Sequence, residues 1–401
     1  MSVPTPTVSD VYQRLMAPAF DEKELIGVST MFQGMFGGIQ GSTILSPDAE
    51  VITVNVSRGN EKAAKWVIRG ADAQTVGPDL KVGKITKFTE LNRVFPLMEE
   101  VDVITANELN KRLPQEPLYA PWSKQERART LAFQYHAESV KRIVRKKELA
   151  ASEVLRASEM TVTEGSAEKI TFPRHADLSK ALATPFSNAA TDVDGEHLLA
   201  CQKLRQIGKV TANGELMGEQ SFVDFYSRTD MQTLADSRRL SFLSLGMDPG
   251  PMPADPVFQR MIEGGAQWQG WYKVGSWTLQ IFTYIDGYDT DAGVFTKYQP
   301  DDECLIFSTK GNRRDRYYGP SDILPVNNMT RMIYNDVFGI APEALIARVP
   351  EGIKNSALID PRMFHTSAIQ FEDKAYQIKT QCAPIYAPVR VDTTYRMTAT
   401  A

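Results

Sequence analysis

Apolar residues recur at helical spacing along one uninterrupted stretch in the first half of the chain. From Ser123 to Ser158 there is no glycine and no proline, and one apolar stripe runs through the segment. The stripe consists of Ala128, Leu131, Tyr135, Ile143, Ala150 and Val154. Ser123 and Glu126 have the spacing of a capping box, which marks a helix start. The pattern predicts a single helix over 123–158, about 50 Å long at ~1.5 Å per residue.

A run of basic residues lies on the other side of this predicted helix. The run consists of Lys141, Arg142, Arg145, Lys146 and Lys147. Such a run is typical of a solvated face. Contact with a nucleic-acid backbone is the alternative that the sequence leaves open.

Before the helix, the pattern changes to alternation. The segment EVITVNVSRG from Glu50 alternates apolar and polar residues, as a half-buried strand does. One strand through KWVI and a returning strand through KITKFTEL predict a long two-stranded hairpin that projects from the body of the subunit. An isolated hairpin is marginal in water, so we expect this one to lie on a neighbouring molecule.

Helices and strands alternate in the second half, which favours an α/β lobe from about 193 to 360. GEHLLACQKLRQIG predicts an amphipathic helix and QSFVDFYS a strand, while TDMQTLADSRRLSFL predicts a second helix. WQGWYKVGSWTLQIFTYIDGY and ECLIFST predict further strands. The segment DLSKALATPFSNAATD is interpreted as a linker, and the closing stretch from KAYQIKTQC as strands that return to the first lobe.

The N-terminal region is interpreted as an arm. Residues 1–24 have the composition of an exposed segment and lack the apolar core of a secretion signal. Residues 25–47 are uncharged and long enough to span a bilayer. Their glycines, glutamines and hydroxyl groups lower the hydropathy too far for a spanning helix. We therefore expect an arm that packs on protein, and no membrane partner.

Composition limits the possible function. The 401 residues are 42% hydrophobic, which is enough for real cores, and the net charge is −4 from 45 basic and 49 acidic residues. Tight, salt-sensitive nucleic-acid binding is therefore not the main activity. Three scattered cysteines suit a reducing compartment, and with four histidines they offer no zinc spacing.

Candidate chemistry is sparse. The sequence contains no phosphate-loop, dinucleotide, zinc-protease or serine-hydrolase motif, and its two acidic turns lack the full calcium-loop pattern. His175 beside Asp177, and His197 beside Glu196, are each half of a conceivable acid–base pair. No nucleophile has the spacing to use them. We predict no enzyme, no cofactor and no metal, with a two-lobed soluble hydrolase as the alternative that these four residues leave open.

Several segments together resemble the lambda-type major capsid proteins of tailed bacteriophages. Pro114, Glu116 and Pro117 stand at the turn that precedes the long charged helix of that family. YQPDDECLIFSTKGNRRDRYYG and YQIKTQCAPIYAPVRVDTTYRMTA are similar to the family's later motifs. The matches are spread from about residue 50 to residue 401, and their order is more specific than any one of them.

The resemblance implies an α+β chain with the Hong Kong 97-type capsid fold. It implies an N-terminal arm (1–50), an extended loop (51–90), a peripheral domain (91–192 and 361–401) with a spine helix (123–158), and an axial domain (193–360). The region 327–361 exceeds the family's usual length, which predicts a surface insertion there. No residue match supports placing the covalent crosslink of some relatives in this chain.

The implied function is that of a structural major capsid protein. Such a chain self-assembles into hexamers and pentamers of an icosahedral head around double-stranded DNA, with scaffold, portal and, in some members, decoration proteins as partners. It would be found in the virion, and in the host cytoplasm during assembly, and would touch DNA only weakly and non-specifically. An encapsulin-type shell is the alternative within the same fold. As subunit-interface residues we predict Arg58, Lys65, Trp66, Arg69 and Lys84, all in the extended loop.

Overall fold

The computed structural model describes most of the chain. The described residues are 28–37, 42–46, 50–58, 87–114, 116–117, 119, 121–162, 169–236, 240–242, 252–290, 292–310, 313–320, 365–371 and 375–399. The helices are α1 (Met31–Gly34), α2 (Ala106–Asn110), α3 (Lys124–Ala157), α4 (Val193–Lys203), α5 (Glu219–Ser227), α6 (Thr229–Asp236) and α7 (Pro256–Glu263).

Strands are found along the whole described chain. The first nine are β1 (Thr43–Leu45), β2 (Val51–Arg58), β3 (Lys87–Val94), β4 (Met98–Thr105), β5 (Glu159–Thr161), β6 (Lys169–Thr171), β7 (Ser179–Leu182), β8 (Gly214–Met217) and β9 (Leu240–Phe242). The others are β10 (Gln267–Val274), β11 (Trp277–Thr283), β12 (Gly287–Asp289), β13 (Phe295–Lys297), β14 (Glu303–Phe307), β15 (Arg314–Tyr318), β16 (His365–Phe371), β17 (Ala375–Cys382), β18 (Pro384–Pro388) and β19 (Thr394–Ala399).

The long helix α3 confirms the prediction from periodicity. The Ser123 hydroxyl accepts from the Glu126 N–H, and the Glu126 carboxylate accepts from the Ser123 N–H at 2.7 Å, which is the predicted capping box. The helix ends at Ser158, whose backbone is left-handed with φ 57°. Every residue of the predicted apolar stripe is buried except Tyr135, which is half-buried.

The predicted solvated face of this helix was wrong in part. Of its five basic residues only Arg142 is exposed, and Lys147 is fully buried with its ammonium 5.0 Å from the centre of the Tyr318 ring. The adjacent Glu148 is also fully buried. The reason is tertiary: α1, β4, β17 and β18 all contact α3, so more than one stripe of it is covered.

Two sheets flank the long helix. The larger has seven strands in the order β7-β19-β14-β8-β11-β10-β9, and the smaller has three in the order β16-β17-β4. A further three-stranded sheet, β1-β15-β18, lies beside α3 through β18. The remaining strands form the pairs β2–β3, β5–β6 and β12–β13.

The small sheet β16-β17-β4 packs on the first half of α3. Asp102 of β4 accepts from the Ser139 hydroxyl of the helix, and Thr380 of β17 lies 3.4 Å from His136 Nδ1. Burial lowers the pKa of His136 to about 4, so the imidazole is neutral at this contact near pH 7. As predicted, the closing stretch returns here, because β17 pairs with β4 along all its length.

Residues 31–36 of the N-terminal region are core, whereas residues 42–46 are exposed or half-buried, and the predicted exposed arm (1–24) lies outside the described residues. Met31, Phe32, Met35 and Phe36 are at most 1% exposed and belong to the largest apolar cluster. A Cβ on Gly264, at the end of α7, would lie 2.6 Å from Met31 Cα, so only glycine permits this close approach. The prediction that this segment packs on protein is confirmed for these residues, and the surface on which they pack belongs to the same chain.

Three local predictions in the second half were wrong. Residues 219–227 form helix α5 instead of a strand, since Phe222 and Phe225 bury one helical face. The expected linker contains a 3₁₀ turn and strand β7. Helix α4 was predicted correctly, but the apolar stripe expected from Leu198, Leu199, Leu204 and Ile207 is not all buried: Leu199 is exposed, while the buried positions include His197 and Ala200.

Strand pairing crosses the predicted domain boundaries. The seven-stranded sheet includes β7 and β19, which lie outside residues 193–360, while β16 and β17 pair with β4 as the peripheral assignment requires. The domain division itself stays a prediction. Residues 1–27, most of the extended loop (59–86) and the expected insertion at 327–361 lie outside the described residues.

Across the described residues, no helix combines the length and the hydropathy needed to cross a membrane.

Ile143→Asp tests the phase of α3. Ile143 is 2% exposed and clusters with Val140, Val144 and Cys382, so the substitution buries an unpaired charge. We expect urea titration of the unassembled subunit to show a loss of about 4 kcal/mol or more in the free energy of unfolding. Glu138→Ala, on the exposed side, is the control and changes it by roughly 0.5 kcal/mol or less. Equal stability of the two variants would show that the helix phase is wrong.

Candidate functional site

Buried carboxylates fix the long helix α3 near its start, along its second half and at its end. They are Glu116, Glu148 and Glu303, each at most 2% exposed. A buried carboxylate is tolerated only where hydrogen bonds or cations replace its hydration. The partners of these three therefore show how the helix is held.

Glu116 closes the turn that leads into the helix. Its carboxylate accepts from the backbone N–H groups of Leu113 (3.1 Å) and Trp122 (2.7 Å) and from the Arg127 guanidinium (2.6 and 3.0 Å). Hydrogen bonds from Arg127 outweigh burial and hold the pKa of Glu116 at about 2. Arg127 also donates to the Leu109 carbonyl, so α2, the turn and α3 share one ion pair.

Glu148 joins the helix to the N-terminal segment. Its carboxylate accepts from the Phe32 N–H at 2.6 Å, the Gln33 N–H at 3.0 Å and the Tyr284 hydroxyl at 3.2 Å. Two of these donors are first-turn amides of α1, which have no partner inside that helix. The Gln33 side chain in turn donates to the Val144 carbonyl of α3. Burial raises the pKa of Glu148 to about 7, although its hydrogen bonds oppose this shift.

Glu303 joins the end of the helix to the seven-stranded sheet. Arg156, in the last turn of α3, donates to both Glu303 oxygens at 2.7 and 2.9 Å, and Arg396 of β19 lies 2.8 Å from the second oxygen. Arg156 also donates to the Tyr298 carbonyl at 3.1 Å. Because a paired guanidinium and carboxylate bind in a fixed plane, this contact sets the angle of the helix to the sheet.

The predicted acid–base pairs do not form catalytic dyads. His175 Nδ1 accepts from the Asp177 N–H at 3.2 Å, which is a local cap of the 3₁₀ turn. His197 pairs with Glu215 at 2.9 Å instead of Glu196. Both His197 and Glu215 are fully buried, so no substrate reaches them from the surface.

Electrostatics also indicate a structural role for this second pair. Burial would lower the pKa of His197, but the Glu215 carboxylate outweighs it and raises the pKa. The imidazole is enclosed by the rings of Phe186, Phe225 and Tyr272, with centroid distances of 5.7, 5.5 and 5.6 Å. The pair fixes α4 on β8 inside the core.

The cysteines are buried within the described residues. Burial raises the pKa of the Cys201 thiol to about 12 and of the Cys382 thiol to about 11, far from thiolate reactivity. No group of three His, Cys, Asp or Glu side chains within the described segments has the arrangement to hold a metal ion.

Comparison with known proteins identifies the family of the chain. Residues 48–399 match the family described as phage major capsid protein E. The chain belongs to the phage major capsid protein E family. No curated protein is similar enough in sequence to count as a match.

Solved structures show the fold. A capsid protein of a prophage of E. coli CFT073 is 11% identical, with a TM-score of 0.58 over 97% of this chain and 98% of that one. The mature capsid of bacteriophage PhiM1 (8% identity, TM-score 0.44, 92% and 86% covered) and the SrpI encapsulin of Synechococcus elongatus (9%, 0.39, 89% and 84%) are also similar. The family match and the similarity to the prophage capsid protein show that the chain has the α+β, Hong Kong 97-type fold of a phage capsid protein, as the sequence predicted.

In this member of the major capsid protein E family, the buried carboxylates that hold α3 were only partly predicted from the sequence. The turn at Glu116 was found from its motif, but the roles of Glu148 and Glu303 were missed. A signal for Glu148 was present: it lies four residues after Val144 and three before Ala151, on a buried stripe. A charge in such a stripe indicates a buried partner.

The predicted interface residues are not tested. Lys65, Trp66, Arg69 and Lys84 lie outside the described residues, as does the side chain of Arg58. The described strands on either side pair from Val51↔Val94 to Arg58↔Lys87, so the partner of the returning strand is the segment from Val51. The predicted outgoing strand through KWVI lies outside the described residues.

Glu148→Gln tests the anchor through the pH dependence of stability. The pKa of Glu148 is about 7 in the fold against 4.5 as a free group, so the folded state binds the proton more tightly. Its stabilisation is present below pH 4.5 and is lost as the pH rises through 7. Between pH 5 and 8 we expect the unassembled wild-type subunit to lose on the order of 2–3 kcal/mol through this group, measured by urea unfolding.

The variant cannot titrate at this position, so its stability should change less over the same pH interval. Glu138→Gln, which neutralises an exposed carboxylate of the same helix, is the matched control and should keep the wild-type dependence. A Glu148→Gln variant with the unaltered wild-type slope would contradict the assignment.

Proposed function

We propose that this chain assembles into hexamers and pentamers that form an icosahedral head around double-stranded phage DNA. The observation that carries the proposal is α3, a helix of 34 residues that is fixed to three parts of the fold by buried carboxylates. Together with the family match, this supports a mechanical role: a stiff subunit keeps its interfaces at constant angles. Heterologous contacts that meet at a fixed curvature close into a shell.

The extended loop (51–90) is proposed to lie on the next subunit. At its base, the directly paired Val51 and Val94 are 51% and 66% exposed, which is unusual for an apolar cross-strand pair. Exposed apolar side chains at the base of a hairpin favour contact with another molecule. Arg58, Lys65, Trp66, Arg69 and Lys84 are the proposed interface residues.

The other partners follow from the proposed shell. Scaffold and portal proteins, and a decoration protein where the phage has one, would act on the same particle, which would assemble in the host cytoplasm and end as the virion. The net charge of −4 supports weak, non-specific contact with packaged DNA, because a strongly basic lining would hold DNA that must slide in. We propose no enzymatic activity.

Assembly is the direct test of the shell. The purified chain, alone or with its scaffold, should sediment as capsomers, tubes or shells and appear as such in negative-stain micrographs. The encapsulin-type alternative predicts closed shells around a cargo enzyme, and the hydrolase alternative a small oligomer. A strictly monomeric or dimeric chain at every salt and protein concentration would refute the proposal.

Replacing residues 60–82 by a short Gly-Ser turn tests the loop. Few intramolecular contacts should be lost, so the melting temperature of the unassembled subunit should stay nearly unchanged while shell formation fails. Trp66→Ala should weaken assembly in the same direction, by about 1–3 kcal/mol per contact. If the deletion unfolds the subunit, the loop belongs to the core and the proposed division of the chain is wrong.

A further inference from the structure

The two ends of the seven-stranded sheet carry opposite charge. Acidic side chains gather where β8 and β11 end, on the hairpin β12–β13 and the segments beside it. They are Glu219, Asp286, Asp289, Asp301 and Asp302, all exposed or half-buried. Lys297 lies among them and pairs with Glu219 and Asp301, at 2.7 Å each. Because the five acidic side chains outnumber this one basic side chain, this end of the sheet is negative.

The acidic hairpin also exposes apolar side chains at its tip. Val294 is 60% exposed and Phe295 54%, and Ile285 at the base of the hairpin is 38% exposed. Such side chains are the usual anchors of a protein interface when a polar rim surrounds them. An acidic rim around an apolar tip fits a partner surface that is basic with apolar side chains at its centre.

Backbone hydrogen bonds and ring stacking stabilise the described residues of the hairpin. The Thr290 N–H donates to the Val294 carbonyl at 3.0 Å, and the Gly293 N–H to the Thr290 carbonyl at 2.8 Å, with Gly293 at φ +72° where glycine is favoured. Below the turn, the ring of Tyr288 stacks on that of Tyr298 at 5.7 Å. A preformed hairpin loses little conformational entropy on docking.

The opposite end of the same sheet is basic. It lies where β8 and β11 begin and β14 ends, as the pairing of Gly214 with Phe307 and Gln280 shows. The basic side chains at this end are Arg205, Lys209, Lys273, Lys310 and Arg313, all exposed or half-buried. They outnumber the nearby carboxylates, which include the buried Asp315, paired with Arg313 at 3.1 Å, and Asp255, which accepts from the Thr309 hydroxyl beside Lys310. Apolar surface is present as well, because Trp277, the first residue of β11, is half-buried.

From this polarity we infer that the hairpin β12–β13 of one copy docks on the basic end of the seven-stranded sheet of the next copy. The inference rests on the proposed shell and names one of its contacts. A two-fold contact between hairpins would bring like charges together, which costs affinity, whereas a head-to-tail contact pairs opposite charges. Head-to-tail contacts are also those that generate rings when the rotation closes.

Two charge-reversal variants test the contact. The acidic-end variant carries Asp289→Lys on the hairpin and Asp302→Lys beside it, and the basic-end variant carries Lys209→Glu and Lys310→Glu. Each alone should assemble at least roughly tenfold less than wild type in light scattering and sedimentation, since like charges then face each other. Mixed in equal amounts, they should form hexamers again, because copies that alternate around a ring of six pair opposite charges at every contact. The quadruple variant should assemble for the same reason.

Further measurements separate this contact from folding and from the shell itself. Circular dichroism and melting of the unassembled variants should match wild type. Val294→Ser with Phe295→Ser, which leaves the charge unchanged, should reduce assembly as well. Normal assembly of the acidic-end variant, or a mixture as inactive as its components, would overturn the docking while leaving the shell intact. A wild-type chain that never assembles would overturn the shell and the docking together.

Discussion

Burial of Glu148 inside the fold is the constraint on which the architecture depends. An isolated carboxylate in such a place would be strongly destabilising, so its position requires donors that reach it from other elements. Phe32 and Gln33 supply backbone amides from α1, and Tyr284 supplies a hydroxyl from beyond β11. One side chain of α3 thereby fixes the N-terminal segment and the large sheet against the same helix. Removing any of these donors leaves a buried charge with fewer partners, which makes the region cooperative.

The other two carboxylates extend this arrangement along the helix. Glu116 is held by Arg127 before the first turns, and Glu303 by Arg156 in the last turn. Pairs of this kind add little net stability compared with apolar packing, but breaking one partner is costly, so they specify geometry more than they add energy. For a capsid protein that distinction matters, because a shell of many copies closes only if the interfaces of each subunit stay within a narrow range of angles.

Some apolar side chains are exposed in the single subunit, which is unfavourable in water, and would be covered in an assembly. Val51 and Val94 at the base of one hairpin, and Val294 and Phe295 at the tip of another, remain exposed although both hairpins are well formed. Their exposure costs free energy in water that a neighbouring copy can recover. The first pair of strands lies at the base of the proposed extended loop, and the second belongs to the acidic end of a sheet whose other end is basic. Both features fit the proposed contacts with other copies.

The sequence by itself determined the elements whose signals are local. The capping box at Ser123 and the apolar period fixed α3, and the alternation from Glu50 fixed β2, because both depend on neighbours in the chain. Only the tertiary structure decided which other faces of α3 are covered: Lys147 is buried beside Tyr318, and Glu148 beside α1, through contacts more than a hundred residues apart. Likewise, the sequence of residues 219–227 is compatible with a strand or a helix, and the packing of Phe222 and Phe225 selects the helix. Charge and periodicity are read along the chain, whereas burial and partnership depend on elements that meet only after folding.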